Sequence, residues 1–191
     1  MRTLIESPSF PASIISEASA KEKGGGGRPE FWEMVFWWTR KPLASARAVV
    51  AASLLPEDIS VNRFIREVLR VKVEDGKVVN VPHREGLNER SSTLSQPEWR
   101  RFFEGKKLLD PFAGFGSIPL EAMRLGLSEV VACELLPTAY IFLKAVLEYP
   151  KKYGRKLIED VEKWGKWVAE KLKEDPDIKE LYDPDVAVYI G

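Results

Sequence analysis

The sequence predicts an α/β protein: a parallel sheet with alternating helices, preceded by a segment of helices and one hairpin. Residues 106–110 and 129–134 are short apolar runs, and a helical pattern over 117–125 separates them. A glycine-rich turn, Phe112-Ala113-Gly114-Phe115-Gly116, joins the first run to that helix. Helical patterns follow at 137–148 and 154–174, and the closing "VAVYIG" reads as a third strand. Strands that alternate with helices are parallel and joined by right-handed crossovers. The predicted boundary gives an N-terminal extension of 1–104 and an α/β part of 105–191.

Each element has a local reason. Residues 1–30 read as irregular apart from a short helix at Ala12–Lys23, and the Gly24–Gly27 run has no side chains to pack. In "PLASARAVVAASLLP", Leu43, Ala46, Val50 and Leu54 fall on one helical face, with Pro42 in the first turn and Pro56 after the end. Residues 57–70 read as a second helix. "RVKVEDGKVVNVP" reads as a hairpin turning at Asp75-Gly76. A polar loop precedes a helix that Ser95 would cap. Ser117 is the predicted N-cap of the 117–125 helix and Gly126 its stop. On the 154–174 helix, Leu157, Val161, Trp164, Val168 and Leu172 form one stripe, so packing is the expectation for Trp164.

Composition narrows the function classes. The chain has 191 residues, with 29 basic against 29 acidic side chains. A balanced charge argues against coating of a duplex by the whole surface, so any nucleic-acid contact is local. Arg28, Arg40, Lys41 and Arg47 are the candidates for such a basic rim, whereas Trp37 and Trp38 read as core. One Cys and one His, Cys133 and His83, cannot build a zinc site within the chain, and His83 has no assigned role. A single Cys suits a reducing, cytoplasmic setting. No run is apolar enough to span a membrane, and no secretory signal is expected.

The glycine turn selects among ligands. In an open parallel sheet the ligand lies beyond the C-terminal strand ends. Asp110 ends the first strand there and Glu134 ends the second. A P-loop needs Lys and then Ser or Thr after its glycines, and Gly-Ser-Ile-Pro fails that test. A dinucleotide site places a pyrophosphate where Asp110 stands, and like charges repel. S-adenosylmethionine carries no phosphate. Its ammonium and sulfonium suit Asp110, and its ribose diol suits Glu134. The expected cofactor is therefore S-adenosylmethionine, although the turn could also be a purely structural strand-to-helix connection.

Asp110-Pro111-Phe112-Ala113-Gly114-Phe115-Gly116-Ser117 resembles the cofactor-binding motif of amino-group DNA methyltransferases, D-P-F-x-G-x-G-T/S. "ACELLPTAY", with Glu134 and Leu135, resembles their second motif. "LIESPSFPASIISEASAKEK" and "FWEMVFWWTRKPLASARAVVAASLLPED" resemble the N-terminal domain of prokaryotic adenine-specific DNA methylases that carry a zinc ribbon. The resemblance implies a partial Rossmann-like, S-adenosylmethionine-dependent methyltransferase fold with a helical and hairpin extension. It implies that Thr39, Lys41 and Pro42 lie near the methionine end of the cofactor, where a helix N-terminus and a Lys attract its carboxylate. It implies DNA as a partner, through the assembled enzyme.

The chain departs from that family in two respects. The tetrapeptide of the D/N-P-P-Y/F kind that orients the target amine is absent, and "YDPD" at 182–185 reads as a loop. The zinc-ribbon cysteines are missing too. No catalytic residue is therefore expected in this chain, and a missing segment, a second polypeptide or a second copy would supply it. The same partner would cover the apolar edge of "KKLLD". A non-catalytic cofactor-binding or assembly subunit, or part of an RNA or protein methyltransferase, is the alternative.

Overall fold

The computed structural model describes residues 2–24, 28–35, 37–82 and 97–181. The protein is mixed α/β and mainly helical, with two small sheets. It divides into two compact units between Leu147 and Glu148. Gly25–Gly27, His83, the Ser95 cap, the 182–185 loop and the expected C-terminal strand lie outside the described residues.

In the first unit, α1 (Ala12–Lys23) occupies the interval its sequence predicts. The second helix, α2 (Leu43–Ala52), buries the predicted face of Leu43, Ala46 and Val50. It also buries Ala44, Ala48, Ala51 and Ala52, because alanines let neighbours approach on the other sides. Pro42 stands at the cap position rather than in the first turn and offers no side-chain acceptor. The open amides are met from α1 instead: Glu22 Oε1 accepts from the Leu43 amide at 2.6 Å and Oε2 from the Ala44 amide at 3.0 Å.

The predicted 57–70 helix is shorter than expected. Residues 57–59 are held in a turn, with the Glu57 amide on the Arg2 carbonyl and the Ile59 amide on the Pro56 carbonyl. Helix α3 (Val61–Arg63) starts at a Ser60 cap and runs into a π-helical turn, Phe64–Val68. The hairpin follows as β1 (Val73–Glu74) and β2 (Lys77–Val78), paired antiparallel. Asp75 and Gly76 have φ of 49° and 76°, the left-handed pair that a two-residue hairpin turn demands. Helix α4 (Pro97–Phe103) buries Trp99 and Phe103.

Strands β3 (Lys107–Asp110) and β4 (Glu129–Ala132) pair in parallel, Lys107 opposite Glu129 through Asp110 opposite Ala132. The crossover helix is α5 (Ser117–Leu125). Its cap is Gly116, in the left-handed region at φ 77°, and Ser117 is the first helical residue. That corrects the expectation of a Ser117 cap: the turn needs a positive φ at the cap, which glycine adopts without strain. Gly126 ends the helix as predicted, at φ 89°. Helix α6 (Pro137–Leu143) follows β4 and continues into a π-helical turn from Lys144.

The 104/105 boundary falls inside the first unit. Leu4, Ala48, Leu55, Phe64, Trp99 and Phe103 share one core with Ala122 and Leu125 of α5. A buried ion pair crosses the same contact. Arg47 of α2 donates from Nη1 to Glu121 Oε2 at 3.0 Å and from Nε to the Val68 carbonyl at 2.6 Å. Arg124 donates to the other Glu121 oxygen at 2.6 Å. Arg47 is therefore not part of a basic rim: burial and its bonds to Glu121 and the Val68 carbonyl commit it to the core.

The second unit contains α7 (Tyr149–Tyr153), α8 (Arg155–Glu174) and α9 (Pro176–Leu181). The predicted stripe is present on α8, yet Val161, Trp164, Val168 and Leu172 are all exposed. The spacing identified the face correctly; the expected packing of Trp164 fails because no described element of this unit covers it. No described helix is long and apolar enough to cross a membrane, and no described cluster of His, Cys, Asp and Glu could hold a metal.

Two stability predictions follow from the buried charges. Glu121→Ala leaves Arg47 buried without its carboxylate and is expected to lower urea-denaturation stability by about 3–5 kcal/mol. Glu22 has a carboxyl pushed up to about 7 by burial, against two amide bonds that favour its ionised form. The folded chain then holds this proton more tightly than the unfolded chain, so its stabilising contribution is full below about pH 4.5 and is lost as pH rises through 7. Melting temperatures are expected to fall between pH 5 and pH 8. Glu22→Gln is expected to flatten that dependence while losing about 1 kcal/mol of capping.

Candidate functional site

The C-terminal ends of β3 and β4 carry the site. The β3 strand delivers Asp110 and β4 leads through Cys133 to Glu134. The ladder extends past the strands, with the Cys133 amide on the Asp110 carbonyl at 2.8 Å and the Ala113 amide on the Cys133 carbonyl at 3.0 Å. The glycine turn is thereby laid across both strand ends.

Glu134 fixes the turn. Its Oε2 accepts from the Gly114 amide at 2.8 Å, and its Oε1 accepts from the Leu135 and Leu136 amides at 2.8 and 3.2 Å. These bonds, that of Leu136 foremost, hold its carboxyl below the usual carboxylate range, with Lys41 adding to the effect. A carboxylate offers about four acceptor directions. Oε1 has filled its two, so the free acceptor direction lies on Oε2. A grip on two ribose hydroxyls by both oxygens would displace a backbone amide.

Asp110 is poised differently. Its Oδ1 accepts from the Phe112 amide at 3.1 Å. Its Oδ2 is buried and has no hydrogen-bond partner among the described residues. An unpaired buried acceptor costs roughly 1–3 kcal/mol. A donor or cation arriving beside it recovers that loss.

A cleft of about 140 Å³ opens at this point, lined by Thr39, Lys41, Gly114, Ser117 and Glu134 among others. Segments distant in sequence therefore meet: Thr39 and Lys41 from the approach to α2, the glycine turn, and the acid after β4. Phe112 and Ala113 line it as well, whereas Pro42, Asp110, Pro111, Gly116 and Leu135 stand outside its wall. Phe112 and Leu135 are 82% and 91% exposed, two apolar side chains left bare beside the cleft. Gly116 supports the turn from below. A Cβ there would stand 2.7 Å from Leu143 and 3.2 Å from Leu147.

Four lining residues were not singled out by sequence as cofactor-site residues: Trp37, Arg40, Phe115 and Ile118. Trp37 packs against Phe115 with ring centroids 4.5 Å apart and the rings tilted by 34°, and the Arg40 guanidinium lies 5.8 Å from the Phe115 ring. Phe115 is the variable position of the glycine motif, so the motif itself carried no signal for it. Trp38 corrects the expectation of a core residue: it is 86% exposed.

The family described as "Protein of unknown function (DUF1156)" has a model that matches residues 9–72. The match spans α1, α2 and the Thr39–Pro42 segment and ends before β1, so the glycine turn lies outside it. No curated protein and no solved structure matches the chain.

Gly116→Ala is expected to be the most damaging single change in the turn. It meets both a clash and a positive φ and should lose about 1–3 kcal/mol. Gly114→Ala should lose about 1–2 kcal/mol from its φ of 53° alone, since its Cβ meets only Trp37 at an ordinary 3.5 Å. Paired denaturation curves measure the difference.

Proposed function

We propose that this chain is the S-adenosylmethionine-binding portion of a DNA adenine-N6 methyltransferase with a partial Rossmann-like domain. The observation that carries the proposal is the meeting of Thr39 and Lys41 with the glycine turn and Glu134 around one cleft. The two resemblances in the sequence are independent of one another, and each alone says nothing of where the other segment lies.

The chemistry of the residues fits this cofactor. It supplies a methyl group made electrophilic by a positive sulfur. Asp110 stands outside the cleft wall, and its buried, unpaired Oδ2 would take the amino-acid ammonium where the cofactor extends past that wall. Lys41 beside the cleft suits the carboxylate. Glu134 Oε2 has one acceptor direction for a ribose hydroxyl, and Phe112 and Leu135 offer bare apolar surface for a purine. The cleft, at about 140 Å³, is smaller than the roughly 300–1,000 Å³ of closed ligand sites, so it would take one end of the cofactor and leave the rest against the exposed shelf.

No residue in this account accepts a proton from the adenine amine. Transfer would need groups from a missing segment, a second polypeptide or a second copy. The sheet favours such a partner. Leu109 and Val131 sit opposite each other on one face, and both are exposed, with Leu109 at 67%. Parallel sheets are normally covered on both faces. An assembly subunit that binds the cofactor without catalysis is the second proposal, favoured by the same exposed face.

Calorimetry with S-adenosylmethionine tests the cleft. Binding is expected near a micromolar Kd, about −8 kcal/mol. Asp110→Asn keeps the acceptor for the Phe112 amide and removes the charge, so it should weaken binding by about tenfold, within the roughly 1.5–3 kcal/mol of a charged hydrogen bond. Equal affinity in the two proteins would remove Asp110 from the site. Glu134→Ala is the poorer test, because it also releases the turn.

A further inference from the structure

A second cavity lies in the first unit, with a volume of about 400 Å³. It shares Trp37 and Arg40 with the cofactor cleft, and Lys23, Arg28, Trp32 and Trp38 complete its recognition surface. Three cations thus face it. Its one carboxylate, Glu33, is already paired with Arg28 at 3.6 Å.

The wall holds donors without acceptors. Trp32 is 3% exposed, and its Nε1 is buried with no hydrogen-bond partner among the described residues. Arg40 Nε is in the same condition. The Arg40 guanidinium lies between two rings, 5.9 Å from Trp32 and 5.8 Å from Phe115. Burial lowers its pKa, and the Glu33 carboxylate opposes that shift. A buried donor of this kind is costly until an acceptor meets it. Trp38 adds an indole open to solvent beside these cations.

Aromatic faces next to cations in excess over carboxylates are what an unpaired nucleotide requires. The base stacks on the indole, and the phosphate meets the guanidinium and ammonium groups. The volume is within the roughly 300–1,000 Å³ of small-ligand sites. We infer that this cavity, lined by Lys23, Arg28, Trp32, Trp37, Trp38 and Arg40, binds one unpaired nucleotide through its base and 5′-phosphate. The nucleotide is part of a single strand or is free. The inference stands on this cavity and does not need the cofactor proposal.

The test is fluorescence anisotropy of a short labelled oligodeoxyadenylate with the whole chain, alongside adenosine 5′-monophosphate titrated by tryptophan quenching. Trp38→Ala is expected to weaken binding by about tenfold, as loss of one stacked base does. Lys23→Gln with Arg28→Gln is expected to flatten the fall of affinity with salt. Affinity for the strand with weak mononucleotide binding assigns the source to nucleic acid. Mononucleotide binding with the same Trp38 dependence, and none of the strand, assigns it to a free nucleotide. Either result supports the site. Binding of neither ligand, unchanged affinity in folded Trp38→Ala, or preference for duplex over single strand would overturn it. Trp38 lies outside the cofactor cleft, so S-adenosylmethionine titrated into the same variant separates failure of this site from failure of that one.

Discussion

The architecture of the first unit turns on Arg47. Its guanidinium is buried, and Glu121 and the Val68 carbonyl take its hydrogen bonds. Removing a partner from such a pair strands a charge in the core, which is far costlier than never having buried it. The bond ties α2, which follows the Thr39–Pro42 segment, to α5, which follows the glycine turn. With the helices fixed to each other, the two preceding segments are brought to the same place. Glu22 completes the constraint by capping α2 from α1. The N-terminal extension is therefore part of the cleft's scaffold and not an appendage to it.

Glu134 does for the turn what Arg47 does for the helices. Three backbone amides converge on its carboxylate, so the acid after β4 sets the shape of the loop after β3. A residue expected from sequence to hold a ligand is first a structural pin, with one acceptor direction left over. Asp110 is the reverse case. It makes one turn hydrogen bond and leaves its other oxygen buried and unpaired. Of the two acids, Asp110 has the clearer physical need of a ligand.

Much of the local structure was legible in the sequence. Helix α1, the Asp75-Gly76 hairpin, Gly126 and the strand–helix–strand order follow from periodicity and turn chemistry, which are local properties. The Gly116 cap was misassigned to Ser117 because a serine before a helix is the usual acceptor, and only the backbone angle reveals that the turn needs a left-handed residue. Arg47 was misread as surface because its partner is far along the chain. Trp38 and the α8 stripe fail in the opposite direction. Apolar type predicts burial only when something covers the residue, and cover is a tertiary fact. Of the cleft's lining, Glu134 and the Thr39–Lys41 segment were named from sequence, and Arg40 only as a rim cation, whereas Trp37, Phe115 and Ile118 were not, since packing across segments leaves no spacing signal.

The central claim is that the cleft between the Thr39–Lys41 segment and the glycine turn is a cofactor site. Amide NMR of the whole chain during titration with S-adenosylmethionine tests it most directly. The account predicts saturable shifts at the Thr39, Lys41, Gly114, Phe115, Ser117 and Leu135 amides together, with the amides of β1 and β2 unmoved. Absence of shifts in a folded chain, or shifts confined to residues away from both segments, would contradict it.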